Sequence, residues 1–239
     1  MFRWISLTLA ALYLCGLAVQ PAAAQSTLSY ELEGETIHYV VPEELCLLDP
    51  ERPMERTVFD VLAQFVGADG KVFALFVGCD ELELFRTDLT QVENFERIGA
   101  YYYPQEPDGT ASKMSMPRAR FAEILTRSVP ALDVDELSSN FAEKMAEVAA
   151  DPNAQMDIQQ FGSTGHTDDA AYLSFISQNT TYGVQYPVVG AIAMTLVHER
   201  MIGLVMAHVT DDPAAVDAIN ERIRTVTEAF IDANPGSDN

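Results

Sequence analysis

A long apolar stretch near the C-terminus constrains the fold more than any other feature of the sequence. Residues 188–209 are almost wholly apolar, but Glu199 and Arg200 stand at their midpoint. A membrane helix over this stretch would carry both charges near the bilayer centre, where each costs about 2.5–3.5 kcal/mol. A β-hairpin instead places the two charges in a solvated turn. The stretch therefore predicts two buried antiparallel strands, at 188–197 and 202–209.

The elements around this hairpin complete the C-terminal third. Alternating apolar residues predict strands at 156–161 and 170–176, and the polar stretches 162–165 and 179–183 predict turns. A closing helix follows, because Asp212 is a typical N-cap residue and Pro213 suits the first helical position. Its buried stripe consists of Val216, Ile219, Ile223, Val226 and Phe230. We expect a four-stranded meander covered by one helix.

The preceding part of the chain predicts four strands and three helices. The strands lie at 36–41, 72–77, 82–85 and 98–103, and the second is apolar on both faces, as central strands are. The helices lie at 54–66, 116–127 and 135–149. Gly67 stands where the first helix needs a C-cap, and Phe121, Ile124 and Leu125 form the inward face of the second. This order predicts an α+β fold, an α/β sandwich with helices packed on a mostly antiparallel sheet.

The N-terminus predicts export. Arg3 precedes an uncharged apolar run at 4–19, and Ala22-Ala23-Ala24 offers small residues at both cleavage subsites. A retained membrane anchor is the alternative, but the alanine site argues against it. We therefore expect a signal peptide at 1–24, cleavage after Ala24, and a single α+β domain at 25–239 in the periplasm or outside the cell.

The charge balance restricts the partners. The chain has 36 acidic and 14 basic residues, a formal net charge of −22. Such a surface repels nucleic acid and anionic lipid, so we expect neither nucleic-acid binding nor stable membrane insertion after cleavage. The excess acid is explained either by a solvated surface adapted to a saline medium or by a patch for a cationic partner.

Two cysteines remain after cleavage, Cys46 and Cys79. An even number of cysteines in an oxidising compartment predicts a disulfide. Zinc would need further ligands at matching spacing, and no C-x-x-C redox motif is present. The two cysteines flank a predicted strand–helix–strand crossover, which would bring them to one edge of the sheet. Two buried free thiols are the alternative.

Local motifs that resemble catalytic ones fail on spacing. His198-Glu199 begins like a zinc-protease H-E-x-x-H, but Ile202 takes the place of the second histidine. Ser163, His166 and Asp168 have the residue types of a triad but crowd one predicted hairpin turn. The acidic pairs, such as Glu43-Glu44 and Asp80-Glu81, arise from composition alone. We therefore predict no catalytic, metal-binding or cofactor-binding residue.

Three consecutive tyrosines are the one unusual local feature. Tyr101 and Tyr103 must share one face of a strand, with Tyr102 on the other. On a solvent face, such rings could form a binding surface that stacks on a sugar or a partner chain. Ordinary aromatic packing is the alternative.

Two segments resemble known groups of proteins. Val41-Pro42-Glu43-Glu44-Leu45-Cys46-Leu47-Leu48-Asp49, the helix after it and Cys79-Asp80-Glu81-Leu82 resemble a group of uncharacterised exported proteobacterial proteins. The hairpin at 190–209 and the closing helix resemble the end of PsbP-like domains. The second resemblance implies an accessory or binding module rather than an enzyme.

Two functions remain open. We prefer a non-catalytic module that binds an unknown protein or small ligand in the cell envelope. The alternative is a periplasmic hydrolase whose carboxylates only the fold brings together. A pocket with two or more converging ionisable groups would favour the enzyme.

Overall fold

The computed structural model describes residues 27–66, 70–88, 95–148 and 150–235. The predicted signal peptide, its cleavage site and the predicted C-cap Gly67 lie outside these residues. The strands are β1 Thr27–Leu32, β2 Glu35–Val40, β3 Leu45–Leu47, β4 Gly70–Gly78, β5 Arg97–Pro104, β6 Gln155–His166, β7 Ala170–Thr181, β8 Val184–Val197 and β9 Arg200–Val209. The helices are α1 Pro53–Val66, α2 Cys79–Thr87, α3 Arg118–Ser128, α4 Val134–Val148 and α5 Ala215–Ala233, and a short 3₁₀ turn covers Val129–Ala131.

A seven-stranded antiparallel sheet organises the fold, in the order β3-β4-β5-β9-β8-β7-β6. The strands β1 and β2 form a separate two-stranded ribbon. The predicted C-terminal hairpin is confirmed, because β8 pairs with β9 from Val188–Val209 to Val197–Arg200. None of the described helices combines the length and the apolarity needed to cross a membrane.

The turn of this hairpin is solvated only in part, because Glu199 is exposed, as predicted, and Arg200 is buried. Its central residues, His198 and Glu199, have φ angles of 49° and 62°, the left-handed region that a tight two-residue hairpin requires. Arg200 is buried, with 6% of its surface exposed, and its Nη2 lies 3.2 Å from Glu33 Oε2. The charge of Arg200 is therefore neutralised by its ion pair to Glu33 of the ribbon.

Helices cover both faces of the sheet. On one face, α5 and the β1–β2 ribbon enclose a core with Phe76, Tyr101, Leu204 and Phe230. On the other face, α1 and α2 pack over Leu75 and its neighbours, and α3 packs over the β8 side. The helix α4 contacts β6 and α1. The α+β fold, with helices on a mostly antiparallel sheet, agrees with the sequence.

Four local predictions were wrong. The closing helix α5 begins at Ala215 with Ala214 at its N-cap, so the predicted N-cap Asp212 lies before it. The predicted strand at 82–85 is part of α2, where Leu82 is buried and Leu84 is exposed; acidic residues in its first turn suit a helix N-terminus. The predicted turn at 162–165 lies inside β6, which continues through register shifts to His166. Ile124 was predicted to face inward but is 42% exposed.

Cys46 and Cys79 form the predicted disulfide, with their Cα atoms 4.8 Å apart. The reason given for it from the sequence was wrong, because no crossover joins the two cysteines. The predicted first strand, β2, belongs to the ribbon, and Cys46 lies in β3 opposite Val77 of β4. Cys79 begins α2 directly after β4, so an antiparallel strand pair brings the two sulfur atoms together.

Candidate functional site

The three tyrosines do not form an exposed binding surface. Tyr101 and Tyr103 are buried on the ribbon side, and the Tyr101 hydroxyl donates to the Val40 carbonyl at 3.0 Å. Tyr102 faces the opposite side, as predicted, and its hydroxyl lies 3.3 Å from Met194 Sδ. Burial raises the pKa of the Tyr102 hydroxyl to about 12. The feature is core packing, the alternative that the sequence left open.

The residues that resemble a catalytic triad do not act together. Ser163 Oγ accepts from the Gly165 amide at 3.1 Å, and the His166 ring contacts the Thr167 carbonyl at 3.2 Å. Among the described residues, no hydrogen bond joins Ser163 to His166. Across all the residues that the structure describes, no group of three His, Cys, Asp or Glu side chains could hold a metal ion.

A wide cleft of about 460 Å³ lies between α3 and the β6–β7 turn. Glu123 holds two arginines there: Arg120 Nη1 lies 2.8 Å from one carboxylate oxygen, and Arg127 Nη2 lies 2.6 Å from the other. Both arginine side chains are more than half exposed. Ion pairs of this kind on a helix surface contribute little energy. The cleft is wide, open to solvent and lined by exposed arginine side chains, so we do not regard it as the main site.

A narrower groove, of about 240 Å³, lies between the first half of α5 and the ends of β5 and β9. Its apolar floor is built from side chains that are almost fully buried: Leu45, Met206 and Ile219. The α5 residues above the floor, Ala215 and Ala218, are small. Because the helix presents methyl groups where longer side chains would fill the space, the groove stays open.

Arg97 forms one wall of this groove. Its Nε donates to Glu81 Oε1 at 2.8 Å, and its Nη2 pairs with Asp80. Partial burial lowers the pKa of Arg97, but the two carboxylates outweigh that effect and leave the pKa above its ordinary value. Gly78 makes room for this cluster, because a Cβ at that position would lie 2.2 Å from Glu81 Oε1.

Glu44 forms the opposite wall. Its Oε2 pairs with Arg222 of α5 across the mouth of the groove. Its other oxygen, Oε1, is buried and has no hydrogen-bond partner among the described residues. The main chain is fixed as well, because the Cys79 amide donates to the Glu44 carbonyl at 3.1 Å, next to the disulfide. The ion pair with Arg222 and this backbone hydrogen bond thus hold the Glu44 side chain at a defined place on the wall of the groove.

The sequence did not predict this site. It singled out Glu43-Glu44 and Asp80-Glu81 as acidic pairs, but it gave no reason to link them to Arg97 or Arg222. These residues lie on four separate segments that only the fold brings together. The one local signal is the pair of alanines in the first turns of α5, Ala215 and Ala218, which lie beside its buried apolar stripe.

Fold and disulfide together define the class: an α+β protein with a mostly antiparallel sheet and helices on both faces. The sequence matches no protein-family model and no curated protein. The structure is similar to the solution structure of cyanobacterial PsbP (CyanoP) from Synechocystis sp. PCC 6803, with a TM-score of 0.43 and 8% sequence identity. The match covers 86% of this chain and 94% of that chain.

Proposed function

We propose that this protein is a non-catalytic module of the cell envelope that binds a small ligand through the groove between α5 and the ends of β5 and β9. The proposal includes export with removal of residues 1–24, which N-terminal sequencing tests by finding Gln25 first. An oxidising compartment would also suit the Cys46–Cys79 disulfide.

The observation that carries the proposal is the lining of the groove: an apolar floor of Leu45, Met206 and Ile219 lies between charged walls that ion pairs hold in place. Small-molecule sites combine an apolar lining with a few fixed polar groups, and the groove has both.

A carboxylate-dependent hydrolase is supported less well. Catalysis by two carboxylates needs one group free to take a proton and another free to donate one. Asp80 and Glu81 are both held by Arg97, and the second oxygen of Glu44 is held by Arg222. The three carboxylates at the groove are therefore all held in ion pairs, which does not suit an acid–base pair.

The test is a ligand capture experiment. Residues 25–239 are immobilised, incubated with periplasmic extract, washed and eluted, and the eluted small molecules are identified by mass spectrometry. We expect enriched compounds that are lost with Ala218→Phe, whose ring would fill the groove from the exposed side of α5. The control is Thr225→Phe, a change at an exposed position further along the same helix. Equal capture by both variants would contradict the proposal.

A further inference from the structure

The carboxylate that lines the groove has no oxygen left for a ligand. Glu44 Oε2 pairs with Arg222, and Glu44 Oε1 is buried, with almost no surface open to the groove. A ligand that donates a hydrogen bond therefore finds no free carboxylate in the lining that the structure describes.

The two arginines of the lining, by contrast, keep unused donors. Arg97 uses Nε for Glu81 and Nη2 for Asp80, and its Nη1 makes no hydrogen bond to another described residue. Arg222 uses Nη2 for Glu44 and leaves Nε and Nη1 without a partner in the described part of the chain. A guanidinium group has five N–H donors and no acceptor. The two side chains are 29% and 43% exposed, so a ligand can reach them.

The strand register places a third nitrogen-bearing side chain beside Arg97. His208 of β9 lies directly opposite Arg97 of β5, so both side chains leave the face of the sheet that carries Met206. Cβ atoms of directly opposite residues are about 4.5–5.5 Å apart. His208 lines the groove, and its ring makes no hydrogen bond to another described residue. Because either neutral tautomer of an imidazole has one N–H, His208 can add a donor next to Arg97.

Charge decides between an anionic acceptor and a neutral one. Arg97 and Arg222 face the carboxylates of Glu44, Asp80 and Glu81, so these ion pairs carry two positive and three negative charges. The whole chain has a formal net charge of −22. An anion would approach against this field, and a cation would meet guanidinium groups without a free carboxylate. A neutral acceptor avoids both penalties.

Size and polarity restrict the rest of the ligand. A volume of about 240 Å³ corresponds to about eight water molecules at about 30 Å³ each. The floor of Leu45, Met206 and Ile219 is apolar and almost fully buried. A fitting ligand is thus short and apolar over most of its length, with an acceptor at one end.

We propose that the groove binds a short, uncharged carbonyl compound, whose oxygen accepts from the free N–H groups of Arg222 and Arg97 while its alkyl part lies on the apolar floor. This inference rests on the proposed function, since it names the ligand class of the same groove. A carbonyl oxygen has two lone pairs and brings no donor, which matches a lining rich in donors. Hydrogen bonds from a charged donor are stronger than neutral ones.

The test compares three probes of similar shape and different polar ends: pentan-2-one, butyrate and butylamine. Each is titrated into residues 25–239, and amide chemical shifts are followed by NMR. We expect saturable shifts at Met206, Ala215 and Ile219 with pentan-2-one, and binding at least about tenfold weaker with the other two probes. Equal affinity for all three would mean that the apolar floor alone binds them, and would overturn the inference.

Matched variants locate the interaction. Arg222→Met keeps an apolar stem but removes the donors, so it should weaken pentan-2-one binding at least about tenfold. It should also strengthen butylamine binding, because Glu44 Oε2 loses its partner. Arg222→Lys restores a charged donor and should recover part of the affinity. Arg127→Met removes the same charge from another exposed arginine paired with a glutamate, and should change none of the affinities. Equal losses in Arg222→Met and Arg127→Met would contradict a role for the groove donors.

The remaining outcomes separate the inference from the function on which it rests. Tighter binding of butyrate or butylamine than of pentan-2-one at the groove would overturn the carbonyl assignment and leave the groove as a ligand site. No binding of pentan-2-one, with capture still lost in Ala218→Phe, would have the same meaning. No binding of any probe at Met206 or Ile219, together with no loss of capture in Ala218→Phe, would overturn both.

Discussion

At the scale of single residues, Glu55 shows how one buried charge is kept in this acidic chain. Only 2% of its side chain is exposed. Its Oε1 accepts from Arg86 Nε at 2.8 Å, and its Oε2 accepts from Arg86 Nη2 at 3.0 Å and from the Asp49 amide at 2.8 Å. The carboxylate thus fixes α1 to α2 and to the loop before α1.

Glu55→Gln is expected to destabilise the protein. The change keeps the shape of the side chain but removes the charge that pairs with Arg86. Breaking a buried ion pair costs about 3–5 kcal/mol, and because Arg86 is 32% exposed we expect a value near the lower end. Urea denaturation at neutral pH measures the loss. Glu51→Gln, at an exposed position, is the control and should change stability little.

The same residue predicts a pH dependence. Burial raises the pKa of Glu55, but the bonds from Arg86 and the Asp49 amide outweigh this effect and lower it below its ordinary value. A carboxyl group whose folded pKa is depressed stabilises the fold above its unfolded pKa, and this stability is lost as the pH falls through the folded pKa. The difference between wild type and Glu55→Gln should therefore shrink in acid. A constant difference down to about pH 3 would contradict this origin.

At the scale of elements, aromatic rings pack over glycines on neighbouring strands. The Phe76 ring covers Gly99, the Tyr102 ring covers Gly203, and a ring from β7 covers Gly190 of β8. A Cβ at Gly203 would lie 2.3 Å from the Tyr102 ring. The role of Tyr102 is thus to fill the space that a missing side chain leaves.

Gly203→Ala should force the Tyr102 ring away from β9. Overpacking of this kind costs about 1–3 kcal/mol, and the loss should appear as a lower thermal midpoint. Gly162→Ala is the matched control, because a Cβ at that strand glycine meets nothing within 4 Å. Combining Gly203→Ala with Tyr102→Leu should recover part of the loss. If Gly203→Ala leaves the thermal midpoint unchanged, the Tyr102 ring moves aside at no cost and the prediction is wrong.

Elements with strong periodicity could be predicted from the sequence, whereas short ones could not. The helix α5 and the β8–β9 hairpin carry long, regular apolar patterns. The segment at 82–85 alternates over too few residues to separate a strand from the α2 helix that it forms. The groove brings Glu44, Arg97 and Arg222 together from distant segments, and no local pattern in the sequence encodes that placement.

The disulfide belongs to the same scale, because it joins the edge strand β3 to the start of α2. Cys46 and Cys79 are separated by 33 residues, and in the chain-entropy model closing such a loop stabilises the fold by about 3–4 kcal/mol. Replacing both cysteines by alanine should lower the free energy of unfolding by about this amount. Denatured, unreduced protein of residues 25–239 should show no free thiol; two per chain would contradict the bond.

At the scale of the whole molecule, the excess of carboxylates decides how the protein responds to salt. The chain has 36 acidic residues and 14 basic ones, so its carboxylates far outnumber the basic side chains that could pair with them. Repulsion among exposed charges reaches far at low salt. Salt screens it beyond a Debye length, which is about 10 Å at 0.1 M salt and about 3 Å at 1 M. Exposed ion pairs such as Glu123 with Arg120 weaken in the same range, but they contribute little.

We therefore expect the thermal midpoint of residues 25–239 to rise between low and molar sodium chloride. Screening removes repulsion that the compact state suffers more than the unfolded chain, because unfolding moves the charges apart. Calorimetry over a salt series measures the change, and sucrose at matched osmolarity controls for effects that do not depend on charge. The gain should be largest at the first additions of salt, where the screening length changes most. A flat or falling midpoint would instead indicate that the carboxylates are arranged for a cationic partner, whose addition would then raise the midpoint at low salt.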